Sequence, residues 1–390
     1  MSKPFHYLDN GSTVYPKPKC VTEEMVRFYN ELGVNPGRGA FEKAKGAAKF
    51  IDDTRCILAE FFGGDTPERL IYTANSTDSL NMAISGLARD GYHVISTCLE
   101  HNSVLRPLNH LAREGTITVD YLPLNEEGVV SAEQVRDAVR PDTKMVVVNH
   151  ASNVFGTVCD LEAIGAVCEE NELIFIVDTS QTAGILPIDV ERMKIDICCF
   201  TGHKSLLGPT GIGGLYILKD CCDVEAFRVG GTGIASADPY QPKEFPYRLE
   251  AGTANTIGIA GLRAGVEWIQ KQGMDKLHQR EMALASRLVE GVRTLEGVTV
   301  FFADSPRRLI PVVSIRIQRV PPLIAGGMLD EMVGVASRCG CHCAPLAHKS
   351  IGTYPEGTIR MSVGPFTTED DIEAAIKGVT ALATGQEKAS

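Results

Sequence analysis

The chain predicts an α/β protein: a large domain built on a mostly parallel sheet covered by helices on both faces, plus a smaller α+β domain. Two patterns and one bound lead there. Strand-like runs rich in β-branched residues, at His93-Val94-Ile95-Ser96, Met145-Val146-Val147-Val148, Leu173-Ile174-Phe175-Ile176-Val177 and Ile195-Asp196-Ile197-Cys198, alternate with segments of helical spacing. That alternation marks parallel strands joined by crossover helices. Beyond a turn-rich stretch from Gly230 to Pro246 the pattern changes to helices with few strand runs. The bound is size: 390 residues, 44% hydrophobic and 22% charged, bury a sizeable core and exclude a disordered chain or a disulfide-held miniprotein.

Each element follows in order. A short strand, Leu70-Ile71-Tyr72, leads through a Ser/Thr/Asn-rich turn into the helical run Met82 to Leu87. Helical spacing then appears at Ser131 to Val139 and at Leu161 to Glu170, between the strand runs named above. After the turn-rich stretch, a long helical pattern runs from Thr256 to Leu295 with an interruption at Gly273. The strand Pro311 to Ile315, a helix near Ala325 to Ser337, the strand Thr358 to Val363 and a closing helix from Glu369 complete the chain. Residues 20–255 are therefore expected to form the large domain, and 1–19 with 256–390 the small one. There is no internal repeat or low-complexity tract.

A net charge of −11 without a Lys/Arg cluster argues against a nucleic-acid surface. The start, Met1-Ser2-Lys3-Pro4-Phe5-His6-Tyr7, has no apolar leader pattern, and no run of about 18 uncharged apolar residues occurs. A soluble, cytoplasmic protein with no membrane partner is expected. The twelve cysteines are scattered, some within apolar runs such as Ile197-Cys198-Cys199-Phe200, so reduced thiols are expected.

The chemistry concentrates where strands end. Asp178 closes one apolar run and Lys204 follows the next, in Phe200-Thr201-Gly202-His203-Lys204. Open α/β sheets place their ligands at the carboxyl ends of strands. An Asp and a Lys meeting there suit pyridoxal phosphate, which takes a Lys amine for its Schiff base and an acidic partner for its ring nitrogen. Alone, Asp178 could equally cap a helix and Lys204 a loop. Gln181, three residues on, offers its amide to a cofactor oxygen, with a structural hydrogen bond as the commoner role for such a residue. Thr73-Ala74-Asn75-Ser76-Thr77 precedes a helix, where free N–H groups and hydroxyls suit a phosphate, although Ser and Thr cap helices everywhere. In Glu100-His101-Asn102-Ser103, a His after a strand either lies flat on an aromatic cofactor or moves protons.

A second group lies near the carboxyl end. Arg360 offers a fork for an amino-acid carboxylate, with a salt bridge as the structural alternative. Arg338-Cys339-Gly340-Cys341-His342-Cys343 places thiols beside positive charge and a His, which favours a nucleophilic thiolate. In an extended segment Cys339, Cys341 and Cys343 share one face, with neighbouring Cα atoms roughly 6.7 Å apart. Zinc sites use wider Cys spacing, and no metal is expected.

Together these segments resemble the class V aminotransferase superfamily, and within it the cysteine desulfurases that include selenocysteine lyase-like members. The similarity runs from Tyr7-Leu8-Asp9-Asn10-Gly11-Ser12-Thr13 and Pro16-Lys17-Pro18 through Asn35-Pro36-Gly37-Arg38-Gly39 to Thr367-Thr368-Glu369-Asp370-Asp371-Ile372. It implies a seven-stranded, fold type I domain with pyridoxal phosphate as cofactor. By the same resemblance Lys204 carries the Schiff base, Asp178 pairs with the ring nitrogen, His101 stacks on the ring and acts in catalysis, and Gln181 meets the phenolic oxygen. Asn153 lies beside cofactor and substrate, and Ser76, Thr77, Thr201 and His203 hold the phosphate. Thr253 matches a residue lent to the neighbouring subunit's phosphate, so a homodimer is expected. Cys343 matches the sulfur-accepting Cys, Arg360 the substrate-carboxylate clamp and Arg338 a nearby site Arg. The chain departs from the family at Cys339 and Cys341, and has Gly11-Ser12 where two alanines are common. The implied reaction converts L-cysteine to L-alanine with a persulfide on Cys343, a sulfur-acceptor protein being a further partner. Selenocysteine lyase, C–S β-lyase or aminotransferase chemistry on the same scaffold are the alternatives, and a non-catalytic sulfur-relay protein is a different class of reading.

Overall fold

The computed structural model describes residues 4–36, 39–218 and 223–385; Met1 to Lys3 of the leader reading and Gly37 and Arg38 of the glycine-rich motif lie outside them. The chain opens with β1 (His6–Tyr7), α1 (Lys19–Leu32) and α2 (Glu42–Phe61). The large sheet follows through β2 (Leu70–Thr73), α3 (Ser76–Leu87), β3 (Tyr92–Thr97), α4 (Asn102–Arg113), β4 (Ile117–Leu122), α5 (Ala132–Ala138) and β5 (Thr143–Asn149). It ends with α6 (Leu161–Glu170), β6 (Ile174–Asp178), β7 (Ile197–Thr201) and β8 (Gly213–Ile217). Its seven strands lie in the order β2-β8-β7-β6-β5-β3-β4. Strands from β7 to β4 run parallel, while β8 is antiparallel to both β2 and β7.

Alternation of side chains along the strands makes two cores from one sheet. Val146, Val148, Phe175, Val177 and Phe200 face one layer, whereas Met145, Val147, Ile176, Ile197 and Leu215 face the other, all fully buried. Burial on both faces is why β5 and β6 read as uninterrupted apolar runs. At β8, close backbone approach sets the residue type: a Cβ on Gly213 would sit 2.7 Å from Asn75 Cα and 2.8 Å from Phe200 O. Gly213 thereby lets the entrance to α3 rest directly on the sheet.

The remaining elements are α7 (Thr256–Gln272), α8 (Met274–Val292), β9 (Val298–Val300), β10 (Val312–Ile317), α9 (Pro322–Val333) and β11 (Val335–Ala336). They are followed by β12 (Arg338–Gly340), α10 (Pro345–Ser350), β13 (Thr358–Ser362) and α11 (Glu369–Thr384). A four-stranded antiparallel sheet, β12-β13-β10-β9, packs Val313, Ile315, Ile359 and Met361 against Leu288 of α8 and Ile372, Ala375 and Val379 of α11. Ile259, Leu262 and Val266 of α7 instead join the core of the large sheet.

Two expectations need correction. The helix expected near Ala325 to Ser337 ends at Val333, because Gly334 takes a left-handed cap at φ 75°, and Val335–Ala336 pairs with β1 instead. The segment from Cys339 to Cys343 is extended only as far as β12 runs, to Gly340, and then turns: φ is positive at Gly340, His342 and Cys343. The N-terminal segment closes the molecule, Leu8 N donating to Ala336 O at 2.9 Å and Ser362 N to Leu8 O at 2.7 Å. No described helix is long and apolar enough to cross a membrane.

Candidate active site

Every site residue expected from the sequence except Thr253 lines one cavity of about 420 Å³ at the carboxyl ends of the parallel strands. Asp178 ends β6 and is buried. Its Oδ1 accepts from Ser76 Oγ at 3.1 Å, Ser180 N at 3.0 Å and Ser180 Oγ at 2.6 Å. These bonds hold the carboxylate rigid and leave Oδ2 as the oxygen for a ligand's N–H.

Lys204 lies just past β7, where Leu207 N bonds back to Lys204 O at 2.9 Å. Burial of its amine lowers the pKa from the ordinary 10.5 to about 8, partly offset by attraction to Asp178. His101 caps α4, its Nδ1 accepting from Ser103 N at 3.1 Å, which puts the ring proton on Nε2. Burial, and then the Lys204 charge, push this imidazole down to about 4. His101 is therefore a neutral ring with one N–H to give. Behind it Glu100, fully buried, accepts from Thr97 Oγ1 at 2.6 Å and Asn149 N at 3.0 Å, and burial pushes its carboxyl up to about 8.

The first turn of α3 forms an anion cradle. Asn75 caps the helix by accepting from Asp78 N at 3.0 Å, so the N–H groups of Ser76 and Thr77 have no intrahelical acceptor. Facing the same cavity, Thr201 Oγ1 and His203 Nδ1 are buried with no hydrogen-bond partner among the described residues. Orphaned polar groups of this kind cost free energy unless a ligand meets them. With Oδ2 of Asp178 and the half-buried Lys204 amine, the donor set fits pyridoxal phosphate: a phosphate at one end, a ring nitrogen at the other and an amine for its aldehyde. Gln181 is held at the edge by Nε2 donating to Gly11 O at 3.1 Å.

The opposite wall carries two arginines placed directly across from each other by the pairing of β12 with β13. Arg360, only 3% exposed, donates through Nη1 to Asn153 O at 3.0 Å and through Nη2 to Asp9 Oδ1 at 2.9 Å and Ser12 Oγ at 2.7 Å. Its buried Nε has no partner among the described residues. Arg338 grips the other oxygen, Asp9 Oδ2, through Nη2 at 2.6 Å and Nε at 3.0 Å. Sequence reasoning gave Asp9 and Ser12 no role; their signal was a polar run, Asp9 to Thr13, following buried Leu8.

Cys343 projects from a tight turn spanning Cys341 to Ala344, closed by Ala344 N to Cys341 O at 2.8 Å. Its central residues, His342 at φ 48° and Cys343 at φ 58°, have the type I′ pattern that Asn and Gly normally supply. Tertiary bonds hold this costly geometry. Asn153 Nδ2 donates to His342 O at 2.7 Å, Asn102 N to Cys343 O at 2.7 Å, and the buried His342 ring meets Thr358 Oγ1 at 3.0 Å. Asn153 thus bridges the Cys343 turn and the Arg360 guanidinium. All cysteines among the described residues are free, Cys343 being exposed and Cys339 and Cys341 half-buried. Thr253 lies on the exposed approach to α7, outside this cavity.

Comparison with known proteins agrees with this layout. Residues 6–375 match the family model for aminotransferase class-V. The chain is 32% identical over 372 residues to a probable cysteine desulfurase of Methanothermobacter thermautotrophicus, covering 94% of this chain and 92% of that one. It is 33% identical over 392 residues to the cysteine desulfurase IscS of Vibrio campbellii, covering 97% and 92%. Among solved structures, the apo cysteine desulfurase from Thermococcus onnurineus superposes with a TM-score of 0.90 at 31% identity, covering 98% of this chain and 95% of that one. A match that spans both sheets and the cavity between them settles the family, and the chain belongs to the class-V aminotransferases.

Proposed function

We propose that the chain is a pyridoxal-phosphate-dependent cysteine desulfurase that converts L-cysteine to L-alanine and leaves the sulfur as a persulfide on Cys343. The observation that carries this reading is the thiol of Cys343 facing the cavity that also holds Lys204, Asp178 and Arg360. When bound, pyridoxal phosphate supplies an aldehyde for amines and a ring that draws electrons from the adjoining carbon. Ser76, Thr77, Thr201 and His203 would hold its phosphate, Asp178 Oδ2 its ring N–H and Gln181 its phenolic oxygen, with His101 against the ring face. Arg360 and Arg338 take the substrate carboxylate, and Asn153 lies beside the substrate. Lys204 Nζ, depressed toward neutrality, moves the proton at the substrate Cα.

Cys343 is the sulfur acceptor. Its thiolate attacks the substrate sulfur and the C–S bond breaks with its electrons left on carbon, where a proton completes alanine. L-cysteine plus the Cys343 thiol equals L-alanine plus the Cys343 persulfide, so no outside oxidant or reductant enters. C343S is expected to keep the yellow colour of the cofactor and to form no persulfide or alanine from cysteine. Full alanine formation by that variant would refute the assignment, and pyruvate in place of alanine would mean elimination. Selenocysteine belongs in the same assay as the competing substrate.

Thr253, exposed and outside its own chain's cavity, is the feature that supports a homodimer in which it reaches the neighbouring subunit's phosphate. The cytoplasm, where thiols such as these stay reduced, is the compartment this reading expects, with an acceptor protein taking the sulfur. The division into 20–255 and 1–19 with 256–390 rests on the two separate sheets, with α7 packed across that line.

A further inference from the structure

Cys341 occupies the first position of the turn whose third position is Cys343. The two thiols meet different surroundings. Cys343 lines the cavity, whereas Cys341 does not, and its thiol donates to Pro355 O at 3.2 Å on the outer side of the turn. His342 between them is pinned inward by its bond to Thr358, which leaves the flanking cysteines nearer the surface. Cys339 stands apart, its Sγ packed so tightly on α9 that a Cβ at Gly326 would lie 2.3 Å away.

We propose that Cys341 is a second sulfur carrier: it takes the terminal sulfur from the Cys343 persulfide and holds it outside the cavity for an external thiol. The inference rests on the cysteine desulfurase reading. The turn draws residues 341 and 343 closer than the roughly 6.7 Å of an extended strand. That falls within the Cα separation of about 4.4–6.8 Å that linked cysteines show, and because the two thiols meet different surroundings the Cys343 persulfide must swing out of the cavity to reach Cys341. The Cys341 thiolate attacks the outer sulfur of the Cys343 persulfide; a new S–S bond forms on Cys341, the old one breaks, and Cys343 leaves as thiolate. The sulfur keeps its oxidation state, and the proton lost by Cys341 is balanced by the thiolate regained at Cys343. Burial and the nearby Cys343 charge raise the Cys341 thiol, which keeps it mostly protonated at neutral pH, so the transfer quickens as pH rises toward its ordinary range. Transfer also empties Cys343 for another substrate while the cargo waits outside.

The test is a single turnover of the cofactor-loaded enzyme with one equivalent of L-cysteine, quenched by alkylation at intervals and mapped by fragmentation mass spectrometry of the peptide carrying both cysteines. In the wild type, sulfur is expected on Cys343 first and on Cys341 later. In C341S it should remain on Cys343, with first-turnover alanine unchanged and slower release to dithiothreitol. C343S should carry sulfur on neither. Sulfur confined to Cys343 at all times in the wild type, with C341S releasing it as fast, overturns the relay and leaves the desulfurase reading intact. Sulfur on Cys341 in C343S overturns the order of transfer. Absence of persulfide from every cysteine of the wild type sinks both.

Discussion

Replacing Arg360 by Lys keeps the positive charge and removes the fork. In the wild type the guanidinium is already committed through Nη1 to Asn153 O and through Nη2 to Asp9 and Ser12, while buried Nε has no partner among the described residues. A substrate carboxylate that reaches Nε gains a charge-assisted bond there without displacing the others. A lysine has one nitrogen, and Asp9 with Ser12 competes for it. Losing one charge-assisted bond costs about 1.5–3 kcal/mol. That corresponds to a rise in KM for L-cysteine of roughly 10- to 100-fold, with a smaller fall in kcat. Initial rates of alanine formation across cysteine concentrations read this directly. Cysteamine, which has the amine and thiol without the carboxylate, should be handled alike by both proteins. Stability should fall little, because Arg338 still grips Asp9 at 2.6 and 3.0 Å. An unchanged KM for cysteine, or an equal penalty on cysteamine, would refute the carboxylate role.

Two further outcomes follow from the geometry. The neutral amine is the reactive form of Lys204, and burial lowers its pKa to about 8, so the rate at which apoenzyme takes up pyridoxal phosphate should rise as pH passes through 8 and level off above it. Between about 8 and the ordinary 10.5 the unfolded chain binds more protons at this site than the folded one, so this group adds stability as pH rises across that window. Absorbance of the bound cofactor gives the midpoint, and a value near that of free lysine would contradict the reasoning. Gly213→Ala forces a methyl against Asn75 Cα and Phe200 O, so it should destabilise the protein by about 1–3 kcal/mol in urea and loosen cofactor binding together. Wild-type stability with wild-type affinity would show that α3 does not depend on that close approach.

The parts of the site that were legible in the sequence are those fixed by local pattern. Asp178 and Thr201 stand at the ends of apolar runs buried throughout but for Ile174, so strand ends and reactive residues appear together. Ser76 and Thr77 read as a polar stretch leading into a helix expected from Met82, and the helix begins earlier, at Ser76, with Asn75 as its cap. What stayed hidden depends on distance or on unusual backbone. Asp9 and Arg360 are 351 positions apart, and nothing near either one names the other. The turn at His342-Cys343 carries none of the Asn or Gly that signals positive φ, so the segment read as extended. Strand β8 was missed because Gly213-Gly214-Leu215-Tyr216-Ile217 begins with two residues that strands normally avoid.

The seating of Leu8 and Asp9 beside β11 and β13 gives the protein an order of assembly. During synthesis, all of the residues assigned to the cofactor within one subunit, the last being Lys204, have been made long before Arg338 and Arg360 exist. A nascent chain that has not reached β12 therefore carries the residues assigned to the vitamin and lacks both arginines assigned to the amino acid. Substrate choice arrives last, when the tail of the polypeptide comes back to meet its head.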